Sequence, residues 1–458
     1  MPAIRCLTSV WARFLFWVAL FVGVPSIGTA KPKAPKKGIS LADCIKRALS
    51  ENPLIKAARF GVDISKAKLF RANWARFPKL TVTSALAPIP AQEGNLLQGH
   101  TNYNRWGVFT RTEVEGYMPL FTFGKIRHLQ RAARHGVKVE QARVRLVESE
   151  ISYLVRKAYW GFQLATEVAE IVDKGLKRLR KEKKRIQTKL DKNDKDVDQN
   201  DLLRIRIAEA EIVGRQLEAK RLKVRSASGL RLLVGLGFGN SIVLSQTYID
   251  PLGISLKPLE AHLAFGLKHR PDLRAVEQGV KARLALLRQK KSYYYPDLVL
   301  GGFVRYAYSN VADDQPSPFA SDPYNTLSGG IFVAIRWSLD FPMKIGQVRE
   351  ADAQYRQLLL QQKALREKAK YEIQNAWLEA RDQCQMLGLL RKASRAARAI
   401  MTDEGRSYDE GFSKLSDLLK AVVTYYTKDL QRLEAIYKCN LAVAKLSQMV
   451  GARGLSIP

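Results

Sequence analysis

LADCIKRALSENPLIKAARFGVDISKAKLFRANWARFPKLTV (Leu41–Val82) lies over LEAHLAFGLKHRPDLRAVEQGVKARLALLRQKKSYYYPDLVL (Leu259–Leu300) without a gap, at an offset of 218 residues. Leu41, Leu49, Pro53, Gly61, Ala67, Pro78 and Leu80 are among the identities, facing Leu259, Leu267, Pro271, Gly279, Ala285, Pro296 and Leu298. A second block, Asp201–Gly235, falls on Asp417–Gly451 at an offset of 216. There Asp201-Leu202-Leu203 meets Asp417-Leu418-Leu419, and Val234-Gly235 meets Val450-Gly451. Two blocks at nearly one offset make the chain a duplication. Its halves run over 31–242 and 243–458, joined near Val243–Pro258.

Each half repeats one order of elements. A helix over 40–76 or 258–294 comes first and ends at Phe77-Pro78 or Tyr295-Pro296, because proline drives the preceding residue out of the helical region. Two strand-like segments follow, then a very long helix, a short break and another helix. The long helices, 125–190 and 345–402, carry apolar residues at alternating steps of three and four. The first seam runs Ile151, Val155, Ala158, Phe162, Ala165, Ala169, Val172, Leu176, Leu179. The second runs Ile373, Ala376, Ala380, Gln383, Leu387, Leu390, Ser394, Ala397, Met401. That is coiled-coil spacing, and at 1.5 Å per residue the first helix is ~100 Å long. Two shorter helices stacked end to end match one long helix, so each half offers one continuous and one composite rod, lying antiparallel.

The candidate strands are 79–87, 106–118, 297–308 and 328–340. In the last, Ile331, Val333, Ile335, Trp337 and Leu339 share one side, with Ala334, Arg336, Ser338 and Asp340 on the other. Arg111, Glu113 and Glu115 share a polar side, and Leu298, Leu300, Val304, Tyr306 and Tyr308 an apolar one. Alternation over ~10 residues is the signature of a strand with one lipid face and one wet face, and a soluble sheet with one packed face gives the same pattern. Trp106, Tyr117, Tyr306, Tyr308 and Trp337 suit interfacial girdles. Four strands cannot cross a bilayer as an open sheet, since their edges would leave backbone groups unpaired in hydrocarbon. Two copies would give eight strands and a side-chain-filled barrel, whereas three give twelve and a lumen.

The repeat Leu-x7-Leu-x3-Pro, the stretch Pro119-Leu120-Phe121-Thr122-Phe123-Gly124-Lys125, and Tyr408-x2-Gly411-x2-Lys414-x2-Asp417-Leu418-Leu419-x-Ala421 together resemble the outer-membrane efflux protein family, whose type member is TolC. Thr122, Phe123 and Gly124 stand where the family pattern has Asp-Gly-Gly, and Leu339-Asp340-Phe341-Pro342-Met343 is a looser version in the second half. The resemblance covers nearly all of the chain after the leader. It implies an α+β membrane protein with internal duplication, whose long antiparallel coiled-coil helices form a periplasmic α-barrel. Four strands per chain would enter a 12-stranded trimeric outer-membrane β-barrel. It also implies a passive conduit rather than an enzyme. The partners would be a periplasmic adaptor (membrane fusion) protein and an inner-membrane transporter, for efflux or type I secretion. The tips fall at the breaks Asp191–Asn200 and Thr402–Ser416. By that resemblance the gate candidates are Asp191, Asp194, Asp196, Asp198, Asp403, Glu404, Asp409 and Glu410, and the adaptor-contact turn is Gly411, Phe412 and Ser413. In the first half Lys195 takes the glycine's place.

Composition fits an exported protein. Arg5 and Arg13, the apolar run Phe14–Val24, and Ser26, Gly28 and Ala30 read as a signal peptide over 1–30. The run is too short to span a bilayer as a helix. Removal of that leader leaves Cys44, Cys384 and Cys439, either buried thiols or one bridge plus a thiol. The chain carries 76 basic against 43 acidic residues, a net charge of +33, with clusters at 176–192 and 281–291. That excess fits a solvated outer face, anionic cargo or envelope polymers, or nucleic acid; export argues against nucleic acid. A periplasmic coiled-coil adaptor or scaffold is the competing reading of the long helices. No cofactor or metal site is expected. Counted from Asp194, Gln199 and Ile205 occupy the glycine and glutamate places of a calcium loop, and His128/His135 and His262/His269 lie seven apart.

Overall fold

The computed structural model describes residues 38–95, 98–191, 199–237, 242–315, 317, 319, 321–452 and 454. The leader read over 1–30 lies outside them. In chain order the elements are α1 (Leu41–Glu51), α2 (Pro53–Asn73), β1 (Lys79–Gly94), β2 (Gly99–Phe121), α3 (Lys125–Asp191) and α4 (Gln199–Val234), then α5 (Leu259–His269), α6 (Pro271–Ser292), β3 (Asp297–Ser309), β4 (Thr326–Arg336), α7 (Phe341–Asp409) and α8 (Leu415–Met449).

The helices expected over 40–76 and 258–294 are each two helices. Pro53 and Pro271 start the second member of each pair, and the preceding Asn52 and Arg270 are extended, with ψ of 125° and 126°. Proline has no N–H to continue the ladder and fits only the first turn. Ser40 starts α1 with a capping box to Asp43, and the Asn52 side chain accepts from the Leu54 N–H.

These breaks are where the composite rods are joined. The Asn52 Nδ2 donates to the Leu233 carbonyl at the end of α4, 3.2 Å away. Arg270 Nη1 donates to the Met449 carbonyl at the end of α8, 3.3 Å away. Leu233 and Met449 stand at the repeat offset of 216, so the duplication reproduces the joint. Each donor satisfies a carbonyl that a helix end leaves without an intrahelical partner. Gly235 (φ 71°) and Gly451 (φ 73°) turn the chain away just beyond.

The rods lie side by side in the order of the strands above them. The composite rod of α1, α2 and α4 packs on α3; α3 packs on α6 and α8; α6, α5 and α8 pack on α7. The seam residues Ile151, Val155, Phe162, Ala165, Val172, Leu176, Leu179, Ile373, Ala376, Ala380, Leu387 and Ala397 are buried, as the heptad spacing requires. The main core surrounds mid-length α3, where α1, α8 and the 242–256 segment pack against it. Gln163 on α3 donates to the Gln246 and Tyr248 carbonyls, both at 2.9 Å. Cys384 of α7 and Cys439 of α8 form a disulfide, and Cys44 remains a buried thiol.

The four strands form one antiparallel sheet in the order β1-β2-β3-β4. β1 and β2 run well past 79–87 and 106–118, to Gly94 and back from Gly99, with a register shift after Pro90. β4 stops at Arg336, short of the expected 340. Trp337–Asp340 instead leads into α7, with the Trp337 indole donating to the Tyr294 carbonyl at 3.1 Å.

Candidate functional site

Register decides what each face of the sheet carries. Leu80, Val82 and Leu86 of β1 stand opposite Gly116, Val114 and Thr110 of β2. Val114 and Met118 stand opposite Val304 and Leu300 of β3, and Leu298, Leu300 and Gly302 opposite Ile335, Val333 and Ile331 of β4. All therefore share one face. Its large side chains are bare: Leu86 is 75% exposed, Leu327 75% and Ile331 84%. The opposite face carries Thr81, Thr83, Arg111, Glu113, Glu115 and Arg305. Glu113 accepts from Arg305 at 2.7 Å and from Arg111 at 3.2 Å. Tyr117 pairs with Lys79 and so belongs to this polar face, not to an apolar girdle. The outer edges of β1 and β4 have no strand partner among the described residues.

The apolar face ends in aromatic rings. Trp106, Tyr306 and Tyr308 are exposed toward the loop end of the sheet. At the helix end, Phe123 stacks on Tyr295 with centroids 5.4 Å apart, Trp74 meets Phe77 edge-on, and Trp337 meets Phe341. The sequence marks Trp337 as a girdle residue, but Phe77, Tyr295, Phe123 and Phe341 only as helix-end or motif residues, and does not single out Trp74. Their signal was position: each lies within a few residues of a strand–helix boundary, where an amphipathic ring suits a membrane–water interface.

The stretch Pro119–Lys125 builds the turn from β2 into α3. Phe123 (φ 47°) and Gly124 (φ 92°) both occupy the left-handed region, which costs a side-chain-bearing residue strain and glycine little. The turn is tied to the other half by Lys125, whose Nζ reaches the Tyr295 carbonyl at 2.9 Å and Asp297 Oδ1 at 2.8 Å.

At the far end of the rods, residues 192–198 of the first predicted tip, Asp191–Asn200, lie outside the described residues, and with them Asp194, Asp196 and Asp198. Asp191 ends α3, exposed, accepting from Gln187 at 3.2 Å. The second break is shorter than expected. α7 continues to Asp409, so Asp403 and Glu404 are helical, and the turn is confined to 410–414. Glu410 is the C-cap residue and Gly411 takes φ 83°. The Phe412 and Ser413 N–H groups fold back on the Ser407 carbonyl at 2.8 and 3.2 Å. Phe412 is 83% exposed.

The two tips touch. Arg185 of α3 lies 3.5 Å from Asp409 of α7, an ion pair between the halves. Below it Leu179, Ile186, Ile205 and Leu415 form a small core of their own. Glu209 of α4 accepts from Lys183 at 2.7 Å and Arg180 at 3.0 Å, and these bonds hold its carboxyl below the usual range. A cavity of about 660 Å³ opens between the four tip helices, lined by apolar side chains such as Val172 and Leu418 and by Arg178, Lys181 and Glu211. The tip is therefore held by ion pairs and thin packing rather than by a deep core. Among the described residues no group of His, Cys, Asp and Glu could hold a metal.

The outer membrane efflux protein family model matches residues 266–452. No curated protein matches the chain. Solved structures do. The outer membrane protein VceC of Vibrio cholerae superposes with a TM-score of 0.73 at 17% identity, covering 90% of this chain and 96% of that one. The MtrE outer membrane channel of Neisseria gonorrhoeae, in its open state, gives 0.72 at 18% identity, covering 90% and 89%. The CmeC outer membrane channel of Campylobacter jejuni gives 0.72 at 15% identity, covering 91% and 87%. The chain thus resembles the outer membrane efflux proteins in sequence over residues 266–452, and has the fold of outer-membrane channels over nine-tenths of its length.

Proposed function

We propose that three copies of this chain close a 12-stranded barrel in the outer membrane and that their rods continue it through the periplasm as a passive export conduit. The observation that carries this reading is the sheet: one face apolar and bare, the other charged, both edges open. An open edge is not tolerated in hydrocarbon, so the sheet has to be completed by copies of itself. The edge rods support self-association too, with Phe60 and Ile64 of α2 at 67% and 58% exposure and Leu360 and Tyr371 of α7 at 63% and 65%. The charged face then lines a lumen.

The leader, the membrane sheet and the two halves, 31–242 and 243–458, fit one envelope-spanning part of a tripartite efflux or type I secretion system. Energy comes from a partner, an inner-membrane transporter bridged by a periplasmic adaptor. Gly411, Phe412 and Ser413 form a turn that presents an exposed ring to such an adaptor. Asp191, Asp403, Glu404, Asp409 and Glu410 surround the closed end, and the Arg185–Asp409 pair is the latch between two packings of the tip.

Full-length protein purified in detergent tests this. We expect a trimer whose migration shifts on heating, and conductance in planar bilayers that rises when Asp409→Ala releases the latch. A detergent-independent monomer without conductance would sink the proposal and favour a periplasmic adaptor or scaffold instead.

A further inference from the structure

A groove of about 680 Å³ crosses the rods just below the sheet, between α2, α3 and α6. Arg131, Arg134 and Lys138 of α3 and Lys281 and Arg288 of α6 line it, and no carboxylate does. Among the described residues Lys281 alone of these five cations has a counter-ion, Glu277 at 2.5 Å, and Arg131, Arg134, Lys138 and Arg288 form no ion pair. Two histidines complete the wall. His135 bonds to Gln278 at 2.9 Å, whereas the buried Nδ1 of His128 has no hydrogen-bond partner among the described residues. Burial and the charges of Arg131, Arg288 and Arg127 hold His128 below its ordinary value, so it faces the groove as a neutral ring.

Four cations around one concavity repel one another, and among the described residues no carboxylate pairs with them or lines the groove. A solvated outer face, which explains scattered basic residues, does not require them to converge. Guanidinium groups converging on one space match the oxygens of a phosphate, which accepts several charge-assisted hydrogen bonds at once. Position adds to this. α3 begins at Lys125, directly after the sheet, so at 1.5 Å per residue His128 and Arg131 lie about 5–10 Å below it. The polar headgroup layer of a bilayer extends a similar distance beyond the hydrocarbon.

We propose that this groove binds a phosphate-bearing anion through Arg131, Arg134, Lys138 and Arg288. The phosphate can be carried by an anionic phospholipid of the periplasmic leaflet or by a free phosphate compound, and two arms separate these sources. In the first, full-length protein in detergent and phosphate-free buffer is titrated with pyrophosphate and followed by thermal unfolding. In the second, the protein is released from nanodiscs of phosphatidylglycerol or phosphatidylcholine and its retained lipid is counted by native mass spectrometry. The expected result is saturable stabilisation, selective retention of phosphatidylglycerol, or both, reduced at least tenfold in Arg131→Gln/Arg288→Gln. That variant should unfold no earlier than wild type without ligand, because it removes repulsion. Lys138→Gln alone, expected to weaken binding severalfold, serves if the double variant does not fold. Stabilisation only by pyrophosphate assigns a free anion, and retention only of the anionic lipid assigns the headgroup. No response of wild type in either arm, or equal binding by the variants, overturns the site. The lipid arm rests on the membrane reading, and its failure is distinguishable: nanodisc insertion and conductance would persist if only the groove were wrong.

Discussion

The joint at Asn52 and the joint at Arg270 are the same piece of structure built twice with different chemistry. In both, a proline breaks a composite rod, and the residue before it donates to the last carbonyls of the helix stacked above. In the first half that donor is a neutral amide. In the second it is a buried guanidinium, which also binds Asp272 at 2.6 Å and Glu372 of α7 at 2.7 Å. Burial alone would make Arg270 easier to deprotonate. The hydrogen bonds it donates to Asp272 and Glu372 outweigh burial and hold the group firmly charged. Backbone geometry is thus what duplication preserved, while the side chain filling it followed its neighbours. The second joint gains a tie to an edge rod, at the risk of leaving buried charge if any member is lost.

The comparison breaks most visibly at Arg270. Arg270→Ala strands Asp272 and Glu372, and should cost about 3–5 kcal/mol, whereas Asn52→Ala removes a cap and one hydrogen bond, about 1–2 kcal/mol. Thermal unfolding in detergent reads both, and equal losses would refute the ionic account of the second joint. The disulfide also belongs to the second half only. It closes a separation of 55 residues, for which chain entropy gives about 4 kcal/mol. Cys384→Ser/Cys439→Ser should therefore lower the unfolding midpoint, and a reductant should lower that of wild type but not of the variant.

A smaller difference is expected at the two glycines. A Cβ at Gly451 would lie 3.0 Å from the Arg270 Cα and the His269 carbonyl, both backbone, whereas at Gly235 the nearest atom would be the Glu51 side-chain Cβ at 3.2 Å, with the backbone no nearer than the Glu51 carbonyl at 4.0 Å. Both alanine variants pay about 1–2 kcal/mol for a left-handed conformation. Gly451→Ala should lose more, because its neighbours are less able to move. The smallest effect is acid sensitivity. Burial disfavours the charged Asp272, but the hydrogen bond and charge of Arg270 and the Leu273 N–H win, so its carboxyl sits below the ordinary value. Its contribution is complete above the unfolded value of about 3.9 and disappears as pH falls through the lower folded one. Asn52 does not titrate, so Arg270→Gln should flatten the acid limb of the unfolding midpoint against pH, and Asn52→Ala should leave its slope unchanged.

The tip shows why some site residues were harder to read than the fold. Periodicity announces a helix but not its last turn, so the break expected over 402–416 is wider than the turn at 410–414, and Asp403 and Glu404 lie on α7. Arg185 falls within the basic cluster at 176–192, and nothing local marks which of its cations meets a residue 224 positions away. The same applies to Arg131 and Arg288, which converge only when α3 lies against α6. The proline breaks were legible in principle. Pro53 and Pro271 stood in the repeat, but the amphipathic pattern continuing past them outweighed the missing N–H.

By itself the sequence determined the duplication, the long coiled-coil rods and the two-faced strands, because repeat offset, heptad spacing and alternation are carried by neighbouring residues. Only the tertiary structure decided the strand order, the joints through Asn52 and Arg270, the Cys384–Cys439 pairing and the Arg185–Asp409 contact between the halves. Each of those depends on which distant segments lie within a few ångströms, and short-range periodicity holds no record of that distance.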